Sequence, residues 1–278
     1  MTKRARTSIA ATPEAGPFAP IPLVGPFRET FAQAASLGYD GIELHIRSPH
    51  DPAVRDVERL LTTSGLVASA IATGQPYLHE GISFTAPDES TRRAAVTAID
   101  DFSRMAAVLG ASLILGYIRG RLSDDTELAA RQRQWMLECC RECSEFAAGR
   151  NVNLLLEPIN RYEMNDFNSV ASALAFADEV DCHNFQLMLD TFHMNIEEPS
   201  ITASIRQAAG RAPYLHVVDS NRWAPGYGHT DFEAIARTLR DIEFRGFLSA
   251  EILRLPDDLT AARRAAEAYR AMIAIMDA

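Results

Sequence analysis

Eight times along the chain a short, almost wholly apolar run is followed by a stretch with helical spacing, and few folds accept that alternation. The runs lie near residues 7–10, 41–46, 66–72, 112–117, 152–157, 186–190, 213–218 and 247–252. Parallel strands read this way because helices cover both faces of their sheet and leave no polar side. An open doubly wound sheet ordinarily stops at five or six strands, whereas eight units in 278 residues suit a closed α/β cylinder. The expected fold is therefore a (β/α)8 TIM barrel. No Pro/Gly/Ser-rich linker or low-complexity stretch divides the chain, so residues 1–278 read as a single domain. The longest helices are expected near 88–109 and 125–148. Ser48 before Pro49 is read as opening the second helix and Thr230 with Glu233 as a capping box for the seventh, while Gly38, Gly110 and Gly149 close others.

Four of the runs carry a polar residue where a buried strand should have none: Glu157 after VNLLL, Asp190 after QLML, His216 within YLHVVD and Glu251 after FLSA. Charges are seldom buried without a partner, and in such barrels the chemistry gathers at the C-terminal ends of the strands. A shared divalent cation accounts for all four at once. Three carboxylates and an imidazole, with no thiolate, form a hard donor set suited to Mn²⁺, and also to Mg²⁺ or Co²⁺. Such a cation keeps positions open for the carbonyl and neighbouring hydroxyl of a 2-ketose. It would make the proton on the intervening carbon removable, and carboxylates on opposite faces would invert that carbon. Taken singly, Asp190 is as well read as a helix N-cap, and His216 as a core histidine.

Counting removes other chemistries. Of the 27 basic residues only Lys3 is a lysine, so Schiff-base and pyridoxal phosphate mechanisms lack their nucleophile. Cys139, Cys140, Cys143 and Cys182 contain no CxxC pair and read as reduced, small apolar residues. A net charge of −10 and the absence of a basic run argue against nucleic acid. The N-terminus lacks the apolar core of a signal peptide and no run is long enough to span a bilayer, so a cytoplasmic protein without a membrane partner is expected. WAPGYG (223–228) lacks the third glycine of a dinucleotide fingerprint and reads as a shaped substrate loop.

The segments LLLEPINRYE (154–163), MLDTFHMNIEE (188–198), HVVDSNRWAPGYGHTDF (216–232) and LSAEIL (248–253) resemble the sugar isomerase/epimerase superfamily of xylose-isomerase-like barrels, in its ketose 3-epimerase branch. IATGQ (71–75) and LGYIRGR (115–121) look most similar to 5-keto-L-gluconate epimerases among the D-tagatose 3-epimerase-like proteins. The resemblance spans about positions 38 to 255. It implies a metal held by Glu157, Asp190, His216 and Glu251, with Glu157 and Glu251 as the two acid/base groups. It further implies that His193, Arg222 and Glu163 bind the substrate, and that the chain is a homo-dimer or homo-tetramer. The activity it implies is inversion of carbon 3 of a ketose or keto-sugar acid through a metal-stabilised cis-enediolate. The loop at 13–23 (PEAGPFAPIPL) does not show the aromatic-rich sequence common in the tagatose and psicose enzymes.

The same ligands serve aldose–ketose isomerases of the hydroxypyruvate or xylose type and inosose dehydratase-like lyases. A DNA endonuclease of this superfamily would need further histidines on early strands. A keto-acid substrate would require another cation, for which Arg119 and Arg121 are candidates. Glu43 and His45 close the second strand, where substrate contact and packing are equally good readings. Tyr77, Phe84 and Trp223 are candidate pocket walls, with packing the simpler account.

Overall fold

The computed structural model describes residues 4–278. Lys3 lies outside the described residues, so no described position offers a lysine. The strands, all parallel, are β1 (Arg6–Thr12), β2 (Leu23–Val24), β3 (Gly41–His45), β4 (Val67–Ala72), β5 (Ser112–Leu115), β6 (Leu154–Leu156), β7 (Phe185–Asp190), β8 (Tyr214–His216) and β9 (Phe247–Ala250). From β3 to β9 each pairs with the next in sequence, β1 pairs with β3, and β1 returns to β9 through Arg6–Ile9 against Phe247–Ala250. That last pairing closes an eight-stranded barrel. β2 flanks it, adding two residues beside Ala11 and Thr12. So short a strand has no periodicity to betray it in the sequence.

The helices are α1 (Phe27–Ser36), α2 (Val57–Ser64), α3 (Gly74–Glu80), α4 (Glu89–Leu109), α5 (Thr126–Ala148), α6 (Val170–Val180), α7 (Thr191–Glu197), α8 (Ile201–Gln207), α9 (Phe232–Asp241) and α10 (Asp258–Met276). One helix after each barrel strand supplies the outer ring, and the short α3 and α7 are extra turns in the loops after β4 and β7. Aspartates start most of the long helices: Asp88, Asp125, Asp231 and Asp257 each accept a hydrogen bond from a backbone N–H of the first turn. Two expected signals are thereby corrected. The cap of α9 is Asp231 rather than the Thr230/Glu233 pair, and the chain after Ser48–Pro49 makes a 3-10 turn at Pro52–Val54, capped by Asp51, before α2. Gly149 follows α5 in right-handed geometry; Asn151, at φ 58°, makes the left-handed turn instead.

Two apolar layers result. Outward-facing strand residues such as Ile42, Leu113, Leu187 and Leu215 pack under the helices with Ile99, Phe102, Phe176 and Tyr269. A smaller cluster of Ala70, Ile114, Leu155, Met188, Tyr214 and Phe247 fills the barrel interior. The period-two alternation of a strand then decides what stands above that plug. Glu157, Asp190 and His216 each lie two residues beyond a plug residue, and Glu251 lies four beyond Phe247, so all four point into the barrel mouth.

Candidate metal centre and sugar pocket

One ligand atom from each of Glu157, Asp190, His216 and Glu251 lies within 4.8 Å of all the others. Asp190 is the helix cap its sequence position allowed, and it also turns one oxygen toward the cluster. Its Oδ1 accepts the Phe192 N–H at 2.7 Å and so caps α7, while its Oδ2 is buried with no hydrogen-bond partner. His216 is divided in the same way: Nε2 lies 2.9 Å from Glu43 Oε2, and Nδ1 is buried and unpartnered. Those two orphaned atoms lie 3.5 Å apart, and Glu157 Oε1 and Glu251 Oε2 each lie 3.9 Å from His216 Nδ1. Buried polar atoms are costly when unpaired, and a cation at their common focus would supply the missing partner. The donor set therefore fits a hard divalent ion.

Protonation follows from burial and crowding. Burial, reinforced by repulsion from Glu251, pushes Glu157 well above the usual carboxylate range. Burial also opposes charge on Asp190, but the imidazoles of His193 and His216 outweigh it and hold that carboxyl below its ordinary value. At His216 desolvation is overcome by the Glu43 carboxylate and Asp190, which raise it well above an ordinary histidine.

Each residue expected to bind substrate sits near this cluster, in a different way. His193, on α7, places Nε2 3.7 Å from Glu157 Oε1 and 3.8 Å from Asp190 Oδ2. Burial lowers its pKa, so these are polar contacts of a neutral ring. Asn160 fixes the tautomer: its Nδ2 donates to His193 Nδ1 at 2.8 Å and to Glu163 Oε1 at 2.9 Å, while its Oδ1 accepts the Tyr162 N–H. The His193 proton is thus on Nε2, facing the cluster. Arg222, at φ 64° in the loop after β8, extends Nη1 to Glu163 Oε1 (2.9 Å) and Nη2 to Glu251 Oε2 (3.2 Å), with its guanidinium 4.9 Å from the Phe192 ring centre. Glu163 stands behind Arg222, where it also accepts the Tyr117 hydroxyl; it does not line the cavity itself. Although burial opposes its charge, Arg222 keeps it ionised below the usual value.

The cavity above the cluster has a volume of about 250 Å³. Its polar wall carries His45, Glu157, His216, Arg222 and Glu251, with the fully buried Glu43 beneath them; Ile21, Leu78, Ile114 and Tyr117 contribute the apolar side. This is the scale of a monosaccharide, and smaller than the common range for larger ligands. Arg222 is the one lysine or arginine among the described residues of its lining. The candidate carboxylate-binding arginines are elsewhere: Arg119 is 1% exposed and holds Asp166 Oδ1 (3.2 Å) and Gly116 O (3.0 Å), and Arg121 caps the Glu163 carbonyl from the surface. Phe84 is core and Trp223 packs on Tyr227. Tyr77 stacks on Tyr117, the aromatic that does reach the cavity. The WAPGYG loop is tied down by Asp219, whose carboxylate accepts the N–H groups of Ser220, Gly226, Gly228 and Thr230. A Cβ on Gly228 would fall 2.3 Å from Asp219 Oδ1, so only glycine fits there. Asn160, Tyr117 and Asp219 escaped the sequence reading because nothing local sets them apart from ordinary loop residues. The cysteines are free, and burial pushes the Cys139 thiol to about 11 and holds Cys140 and Cys143 well above the usual thiol range, as inert core groups require.

The profile of a family described as the xylose isomerase-like TIM barrel matches residues 31–273. L-ribulose 3-epimerase of Methylomonas sp. strain DH-1 is 34% identical over 229 residues, covering 81% of this chain and 77% of that one. D-psicose 3-epimerase of Ruminiclostridium cellulolyticum is 30% identical over 226 residues, covering 79% and 75%. The solved structure of D-allulose 3-epimerase from Methylomonas sp. with D-allulose superposes with a TM-score of 0.80 at 26% identity, covering 97% of each chain. No helix among the described residues is long and apolar enough to cross a membrane. The chain belongs to the xylose isomerase-like TIM barrel family, among relatives that are ketose 3-epimerases and hence carbohydrate isomerases.

Proposed function

We propose that this chain is a divalent-metal-dependent epimerase that inverts carbon 3 of a free ketose, with Glu157, Asp190, His216 and Glu251 holding the cation. The observation that carries the proposal is the pairing of function within the cluster: Glu157 and Glu251 both line the cavity, whereas Asp190 stays behind it capping α7. The two carboxylates able to exchange protons with a substrate are therefore also the ones it would meet. When bound, Mn²⁺, Mg²⁺ or Co²⁺ would act as a Lewis acid on the ketose carbonyl and stabilise the cis-enediolate charge. One glutamate takes the carbon-bound proton and the other returns a proton to the opposite face. Arg222, already ionised and anchored by Glu163 and Glu251, meets negative charge developing on a substrate oxygen, and His193 Nε2–H offers a neutral donor. Mn²⁺ is the proposed ion within that hard-donor class.

A neutral ketose is favoured over a keto-sugar acid, because Arg222 is the one lysine or arginine among the described lining residues and both of its terminal nitrogens already face carboxylates. The names of the relatives, L-ribulose and D-psicose 3-epimerase, support a five- or six-carbon sugar. The proposal includes a homo-dimer or homo-tetramer, as the family resemblance implies, acting in the cytoplasm on a small carbohydrate without nucleic acid or membrane; sedimentation checks the assembly. The test of activity is a panel of ketoses and keto-uronates incubated with protein and Mn²⁺ in D₂O and followed by NMR. Deuterium at an inverted carbon 3 is expected. Label at carbon 1 or 2, or loss of water from the product, would replace this reading with aldose–ketose isomerisation or dehydration.

A further inference from the structure

We infer that Glu43 is the positioning residue of the metal centre: a single buried carboxylate that holds the His216 ring with its Nε2 proton turned inward and its Nδ1 lone pair presented to the cation. The inference rests on the proposed metal reading and adds a residue that takes no part in ligation.

Glu43 lies in the middle of β3 with no exposed surface. Four donors from three strands converge on it. Its Oε2 receives His216 Nε2 at 2.9 Å, the Tyr214 hydroxyl at 2.8 Å and the Ser249 hydroxyl at 2.7 Å; its Oε1 receives His45 Nε2 at 2.7 Å. Tyr214 is held in turn by Ser69 at 2.8 Å, which also meets Ser8 at 2.6 Å. An ionised carboxylate can only accept, so every group touching it must donate. His216 is therefore committed to Nε2–H, and its other nitrogen is the unpartnered atom 3.5 Å from Asp190 Oδ2. Ligating histidines commonly donate their second N–H to a carboxylate in this way, which orients the ring and strengthens it as a ligand. The simpler alternative, that Glu43 only fills the barrel centre, makes a different prediction. Any loss from its network would then weaken the fold and the metal site together.

The test is Mn²⁺ calorimetry on the full chain with three variants, each checked for folding by circular dichroism. Glu43→Met, which offers only a weak, uncharged thioether acceptor, should weaken Mn²⁺ binding about 10- to 100-fold. Glu43→Gln can keep an oxygen toward His216 and turn its amide to His45, so it should recover part of that loss. Tyr214→Phe removes a donor to Glu43 but leaves the histidine contact, so its affinity should stay within about twofold of wild type even if its melting temperature drops. Wild-type affinity in Glu43→Met, or an equal loss in Tyr214→Phe, would overturn the inference. If Glu43→Met does not fold, long-range ¹⁵N spectra of histidine-labelled wild type decide instead. His216 Nε2 should carry a proton before and after Mg²⁺ is added, and only Nδ1 should shift. Movement of the proton off Nε2 would sink the role of Glu43. Failure of wild type to bind Mn²⁺ would instead count against the metal site itself.

Discussion

Adding Mn²⁺ should stabilise this protein by an amount that grows with pH. Without a cation, the site keeps a proton on Glu157, which burial and Glu251 raise well above its ordinary 4.5, and on His216, which burial disfavours but Glu43 and Asp190 raise well above 6.5. A group whose pKa is raised by folding stabilises the fold fully below its unfolded value and loses that contribution as pH climbs through the folded one. Glu157 therefore begins to lose stability above about pH 4.5 and His216 above about pH 6.5, whereas Asp190 and Glu43, both lowered, are already ionised in folded and unfolded chains over that window. A cation displaces both protons, so its apparent affinity rises about tenfold per pH unit for each one released, equivalent to about 1.4 kcal/mol. At an unfolding entropy of about 2.1 cal/mol/K per residue, 278 residues give roughly 0.6 kcal/mol/K. Mn²⁺ at 100 times its Kd, worth about 2.7 kcal/mol, should raise Tm by about 5 °C, and each released proton should add about 2 °C per pH unit. Differential scanning fluorimetry of metal-free and Mn²⁺-loaded protein at fixed metal, from pH 5.5 to 8, reads the difference directly. A Tm increment that stays flat or shrinks across that range would refute the protonation scheme. Glu157→Gln should remove its share of the slope.

Glu157→Gln and Glu251→Gln should each lower epimerisation by at least about 10²-fold while the fold is retained, as read by deuterium incorporation and circular dichroism; near-normal turnover in both would remove their acid/base role. Arg222→Ala should leave Mn²⁺ affinity within about threefold and reduce kcat/KM, since Glu163 and Glu251 lose an ion-pair partner but keep their places while the substrate oxygens lose their cation; calorimetry and steady-state kinetics separate the two, and loss of metal would mean the arginine supports the ligands instead. Phe176→Ala should cost about 3–5 kcal/mol in urea unfolding, because the ring is fully buried between Phe167 and Phe185, and a change below 1 kcal/mol would show that the site collapses around the gap.

The barrel and the polar residues at its mouth were legible because both depend on local pattern. Apolar runs buried on two faces mark the strands wherever they occur, and a carboxylate closing such a run stands out against its neighbours, as at Glu157 and Glu251. The short pieces left no such mark. β2, α3 and α7 are too short to show a period, and the cap of α9 falls to Asp231 rather than its neighbour Thr230 because it is the Asp231 carboxylate that accepts the Ala234 N–H. The division of labour inside the site was equally hidden. Glu43 and His45 read as an even choice between packing and substrate contact; Glu43 is 171 residues from Tyr214 and 206 from Ser249, and only barrel closure turns it into the acceptor for both. Arg119 and Arg121 were candidates for a carboxylate because they follow a strand, yet Arg119 is directed into the protein by Asp166, 47 residues on. The amino-acid sequence by itself determined which residues reach the barrel mouth, since a period of two along a strand is a property of the chain. Which of them share a proton, lean on a buried carboxylate or face open cavity depends on distances across the cylinder, and those exist only once the strands have closed it.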